Sequence, residues 1–202
     1  MPLWLAPHPL VLASKSLARR AMLEAAGIPL VLAPADIDER AIEQRSGPVD
    51  AAQAAVLLAR EKARVVAARL GNRFVVGADQ TLALGTRRFS KPADRAAARE
   101  QLRALSGRTH ELHSAVAVGR DGRVVFSHVD VARLTMRAVS DRFIESYLDA
   151  VGPEATRSVG AYQLEKEGVH LFERIDGDHF TILGMPLLAL LAFLRREGFL
   201  DA

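Results

Sequence analysis

Residues 10–27 read LVLASKSLARRAMLEAAG. The apolar run at 10–13 predicts a short buried strand. Two hydroxyls, Ser14 and Ser16, follow and open an amphipathic helix. Leu17, Met22 and Leu23 form its inward side and Gly27 is its stop. A strand that turns straight into a helix points to an α/β protein, and the flanking sequence extends that reading. IPLVLAP (28–34) predicts a second strand, and ADIDER (35–40) an acidic loop. Residues 48–70 predict a long helix with Pro48 near its start and Gly71 after its end. RFVVGA (73–78) predicts a strand that ends before Asp79, and LGTRRFSKP (84–92) a loop or hairpin. Asp94 is placed to cap a helix over 95–105, which Ser-Gly-Arg ends. Strands over 110–119 and 123–139 meet at an Asp-Gly turn. A helix capped by Ser140 or Asp141 follows, then an irregular stretch over 159–180 with one strand at 168–175. An amphipathic helix over 186–198 closes the chain. Strands and helices mix rather than strictly alternate, so the expected sheet is mixed rather than purely parallel.

The 202 residues suffice for one sizeable core or two small lobes around a cleft. The expected organisation is one structural domain over 1–202. No cysteine is present, which removes disulfides, cysteine-ligated zinc and thiol nucleophiles from consideration and fits a reducing cytoplasm. The N-terminal residues lack a basic segment before a long apolar one. No apolar run approaches the roughly 20 residues of a membrane span. The net charge is +3, and the basic residues are nearly all arginine: Lys15, Lys62, Lys91 and Lys166 are the only lysines. No dense basic stripe or interleaved aromatics suggest a nucleic-acid polymer, so a small phosphate ligand is the better expectation.

Five constellations carry chemistry. In LASKSLARR, Ser14, Ser16, Arg19 and Arg20 surround a helix N-terminus, where open N–H groups and the helix dipole attract anions. Two arginines at that end are unfavourable unless an anion joins them; the alternative is a plain serine cap with solvated arginines. Asp36, Asp38 and Glu39 supply oxygen ligands suited to Mg²⁺ or Mn²⁺, or else form a solvated acidic loop. Lys62 shares an apolar helix side with Leu58, Val65 and Val66, and either snorkels to water or meets phosphate. Asp79, at the expected end of a strand, can hold a metal or deprotonate a water, with Gln80 beside it to read a base through its amide; the alternative is a turn aspartate. Lys91, stiffened by Pro92, is a phosphate clamp or a surface lysine. His110 and His113 fall on opposite sides of their strand and make no defensible site. Walker and G-x-G-x-x-G motifs are absent.

Taken together and in order along nearly the whole chain, LASKSLARRAMLEAAGI, ADIDE, AREKA, GADQ, SKP, LSGRTH, VGAYQLE and IDGDHFTILGMPLLALLAFL resemble the motifs of the Maf family of nucleoside triphosphate pyrophosphatases. The resemblance implies a Maf/ITPase-like fold, a mixed central sheet flanked by helices with two lobes around a substrate cleft. It implies metal-dependent hydrolysis of the α–β phosphoanhydride, giving a nucleoside monophosphate and diphosphate. By position in the motifs, Asp79 would accept a proton from the attacking water and, with Glu39, hold the metal. Ser14, Ser16, Arg19, Arg20, Lys62 and Lys91 would hold the triphosphate. Ala18, Gln80 and Glu165 resemble the branch acting on 7-methyl-GTP, since an amide and a carboxylate suit a guanine edge. The pattern departs from the usual one at Lys15, Leu17, Val159 and Lys166, the last placed to pair with Glu165. The same reaction on dTTP, UTP or inosine-type nucleotides is the alternative. A nucleotide-sensing regulator without turnover and a polymer-binding module are the rivals of another class. A homodimer is compatible with the resemblance.

Overall fold

A computed structural model describes residues 3–47 and 49–201 of the chain. The elements, in order, are β1 (Leu10–Leu12), α1 (Leu17–Ala25), β2 (Leu30–Leu32), α2 (Glu39–Ser46) and α3 (Ala51–Leu70). Then come β3 (Val75–Leu84), β4 (Arg87–Phe89), α4 (Arg95–Leu105), β5 (Thr109–Arg120) and β6 (Arg123–Met136). After α5 (Asp141–Val151) there are three short 3-10 turns, then β7 (Phe172–Asp176), α6 (His179–Ile182) and α7 (Leu187–Arg196). The protein is thus mixed α/β, as its sequence predicts. Among the described residues, no helix is long and apolar enough to cross a membrane.

The chain divides into two compact units. The first takes Met1–Gln80, Ser114–Asp130 and Asp178–Ala202, and the second Thr81–His113 and Val131–Gly177. In the first, β1 lies between β2 and β3 and pairs with both in parallel. Strand alternation sends Leu10, Leu12, Val76, Ala78, Val116 and Val118 to one side, where they pack with Met22 and Leu23 of α1 and Leu190, Phe193 and Leu194 of α7. Val11, Ala13 and Val75 go to the other side, against Val66 and Ala67 of α3. Ala115 and Ala117 meet Ala55, Ala59 and Ala63 of the same helix.

The alanine content of α3 has a steric cause. A Cβ on Gly77 would lie 2.2 Å from the Ala59 carbonyl oxygen, and one on Gly119 would lie 2.8 Å from that of Ala63. Helix and sheet therefore touch backbone to backbone, and only small residues fit between them. Asp50 caps α3 and closes a capping box with Gln53. Pro48 lies outside the described residues. Gly71, at φ +60°, ends the helix where the sequence places its stop.

In the second unit, β4 pairs antiparallel with the end of β3 and β7 with the end of β6. Asp94 caps α4 and Ser140 caps α5 through their side chains. The Asp-Gly turn between β5 and β6, formed by Asp121 (φ 51°) and Gly122 (φ 72°), belongs to the first unit.

Four expectations are corrected. β3 does not stop before Asp79 but runs on to Leu84, because its second half gains β4 as a partner. ADIDER is not wholly a loop: the Asp38 carboxylate accepts the Ala41 N–H and starts α2 at Glu39. Leu17 is 73% exposed, since α1 buries Met22 and Leu23 and Leu17 sits at its first position, off that side. Residues 167–171 form a 3-10 turn, and the strand begins only at Phe172.

Candidate active site

The continuation of β3 decides the geometry. Because successive strand residues point to opposite sides, Asp79 joins Val75 and Gly77 on the side facing α3, whereas Gln80 joins Val76 and Ala78 on the other. Two residues expected side by side at a strand end thus look in opposite directions.

On the α3 side, Lys62 Nζ lies 2.6 Å from Asp79 Oδ1 and 2.6 Å from Glu39 Oε1. The Lys62 and Asp79 side chains are almost wholly buried, while Glu39, at the first position of α2, is half exposed. Lys62 therefore does not snorkel away; two carboxylates hold its ammonium at the protein's interior edge. Burial raises the Asp79 pKa, and this outweighs the opposing pull of the Lys62 and Arg19 charges and of the Lys62 hydrogen bond. A buried carboxylate that accepts a proton more readily than an ordinary aspartate suits a general base.

Behind β3, the start of α1 is built by its serines. Ser16 Oγ accepts the Arg19 N–H as the N-cap, and Ser14 Oγ accepts the Ser16 N–H. Arg19 turns inward: its Nε donates to the Gly184 carbonyl at 2.9 Å and its Nη1 to the Ala78 carbonyl at 2.8 Å. Burial lowers its pKa, partly offset by Asp79 and Glu39. Arg20 turns outward and pairs with Glu24 at 2.7 Å, one helical turn on. The Arg-Arg pair is thus split between a fixed interior cation and an exposed one. Ala18, half-buried, lies in the first turn of α1.

Gln80 is fixed by partners that the sequence did not disclose. Its Nε2 donates to Ser114 Oγ at 2.9 Å, to the Ile182 carbonyl at 3.0 Å and to the Thr181 carbonyl at 3.2 Å. Ser114 is buried and in turn donates to the Thr181 carbonyl at 2.6 Å. Two backbone carbonyls can only accept, so the amide nitrogen must face them. Gln80 can therefore offer a ligand its carbonyl oxygen, not its NH₂. Ser114 was missed because a serine inside a long strand is ordinary until its partners are known, and it follows Glu111 and His113 in a strand already carrying polar residues. Asp178 accepts the Thr181 N–H and holds the turn that presents those carbonyls.

The remaining candidates lie in the second unit. Lys91 is exposed in the loop after β4, and Pro92 beside it is buried. Glu165 is exposed in a turn. Lys166 lies 3.6 Å from Glu154 rather than pairing with Glu165. His110 is buried, its pKa pushed down to about 4 by desolvation.

Among the described residues, no group of three or more histidines, cysteines or carboxylates could hold a metal alone. The donor chemistry nevertheless fits a hard divalent cation of the Mg²⁺ type. Such an ion needs only one or two protein carboxylates; Asp79 and Glu39, which share the Lys62 ammonium, would be the residues to hold it.

The family profile described as Maf-like protein matches residues 9–197. A nucleoside triphosphate pyrophosphatase of Rhodopseudomonas palustris (strain ATCC BAA-98 / CGA009) is 60% identical over 200 residues, 99% of each chain. A second protein of that name, from Nitrobacter hamburgensis, is 58% identical over the full length of both. A 7-methyl-GTP pyrophosphatase of Rhizobium meliloti (strain 1021) is 50% identical over 96% of this chain and 98% of its own. With matches running from end to end, the chain belongs to the Maf-like protein family.

Proposed function

We propose that this chain hydrolyses 7-methyl-GTP to 7-methyl-GMP and pyrophosphate, with Asp79 as general base and a divalent cation assisting. Its reaction class is that of the relatives it matches along its whole length: it is a nucleoside triphosphate pyrophosphatase. The observation that carries the mechanism is the Lys62 ammonium held at 2.6 Å by both Asp79 and Glu39, on a buried side of β3.

In this reading, Asp79 takes a proton from water as the water oxygen bonds to the α-phosphorus. The bond from that phosphorus to the α–β bridging oxygen breaks, and its electron pair leaves with pyrophosphate. The protein neutralises charge rather than forming a covalent intermediate. Lys62 and Arg19 are fixed cations next to the base, and Arg20 and Lys91 are assigned to the triphosphate by their places in the motifs. Ser14 and Ser16 set the N-terminus of α1 for phosphate oxygens. A cation held by Asp79 and Glu39 would supply further neutralisation of phosphate charge.

The base preference rests on Gln80 and Glu165. Gln80 has its NH₂ committed to Ser114, Thr181 and Ile182, so it accepts. A guanine edge offers both N1–H and an exocyclic amine as donors, whereas uracil and thymine offer one N–H. Two acceptors, Gln80 and Glu165, match the first better. Ala18 belongs to the same assignment by motif.

Pyrophosphate release from 7-methyl-GTP, GTP, dTTP, UTP and ITP, each with Mg²⁺ or Mn²⁺, tests this. The expected result is a kcat/KM for 7-methyl-GTP at least about tenfold above dTTP, UTP and ITP. A preference for dTTP or UTP would sink the base assignment, and no release from any would favour a sensor without turnover.

A further inference from the structure

A glutamine that no motif singles out ties together two loops of the second unit. Gln101, on α4, donates its Nε2 hydrogen to the Ser90 carbonyl at 2.7 Å. Its Oε1 accepts the Gly160 N–H at 3.0 Å. Both partners are backbone atoms with one possible role each, so the amide's orientation is fixed. Ser90 directly precedes Lys91. Gly160 opens the stretch that leads through Tyr162 and Gln163 to Glu165.

That stretch needs holding. Gly160 has φ 78° and Ala161 φ 62°, two successive left-handed residues, the second with a Cβ. An alanine in that region crowds its Cβ against the backbone and persists only where surrounding groups fix it. Tyr147 Oη donates to the Ala161 carbonyl at 3.2 Å, and Tyr162 Oη meets His110 Nε2 at 2.7 Å. A Cβ on Gly160 itself would lie 2.6 Å from the Tyr162 ring and 2.7 Å from Leu82. Among the described residues, Gln101 both pins this stretch and reaches the lysine loop.

We propose that Gln101 is a positioning residue that sets the Lys91 loop and the Gly160–Glu165 loop against one another, so that phosphate holding and base reading are tuned by one amide. This rests on the roles given above to Lys91 and Glu165. Two variants separate its two bonds. Gln101→Glu keeps an acceptor for Gly160 but sets a carboxylate against the Ser90 carbonyl. Gln101→Leu removes both bonds at similar size.

The measurement is kcat/KM for 7-methyl-GTP and dTTP in both variants and the unaltered protein, with thermal unfolding as a control. In Gln101→Glu, kcat/KM should fall by about tenfold on both nucleotides, their ratio holding within about twofold. In Gln101→Leu, the ratio itself should fall by about fivefold or more. Variants that keep the unaltered kcat/KM and ratio within about twofold, or that lose thermal stability alone, would overturn the proposal. So would identical ratios in the two variants. If the unaltered protein prefers dTTP, the base reading above has failed, and the Gln101 proposal is still judged on the change from that protein's own ratio.

Discussion

Asp79 and Gln80 are adjacent in sequence and opposite in character. Asp79 faces α3 and meets only charge: Lys62 at 2.6 Å, with Glu39 on the same ammonium. Gln80 faces the other side of β3 and meets neutral groups: a serine hydroxyl and two backbone carbonyls. The first environment changes the protonation behaviour of its residue; the second changes only which end of an amide is presented. On the proposed roles of Asp79 and Gln80, one strand would keep reaction and recognition apart by its period of two. Substitutions on the α3 side should therefore act on rate and pH dependence, and those on the other side on substrate preference.

The largest effect that sharpens this contrast is expected from Lys62→Met. It removes the strongest opposition to the burial that raises the Asp79 pKa. An acid limb of kcat/KM set by Asp79 should move to higher pH, and activity at pH 7 should fall by roughly 10²-fold. An unmoved limb would mean that Asp79 does not govern it. A smaller effect of another kind is expected from Gln80→Met. Loss of the acceptor should lower the preference for 7-methyl-GTP over dTTP by about tenfold while kcat on dTTP stays within about threefold. A uniform loss on both nucleotides would break the separation of the two sides.

Where local chemistry decides structure, the sequence was legible. The caps at Asp94 and Ser140, the Asp-Gly turn and the Gly71 stop are visible because each involves residues within a few positions. The site residues were legible as types, and Lys62, Asp79 and Glu39 do come together. What could not be read was the extent of β3. Asp-Gln-Thr looks like a strand end because three polar residues in a buried strand are costly without partners. The partners, Lys62 and Ser114, lie 17 and 34 residues away. The same cause hid the division of Arg19 from Arg20, since the Ala78 and Gly184 carbonyls that draw Arg19 inward are distant in sequence. Gln101 was invisible because both its partners are backbone atoms.

The most direct test of the central claim is Asp79→Asn, assayed for pyrophosphate release and for thermal unfolding at pH 7. The Asp79 pKa is raised in the folded state, so folding favours its protonated form, and stability falls as pH rises from the ordinary aspartate value through the raised one. Asparagine removes that cost, and the unfolding temperature should not fall. Release should fall by at least about 10³-fold, because the base is gone. A folded variant that keeps release within about tenfold of the unaltered protein would contradict the assignment of Asp79 as the base.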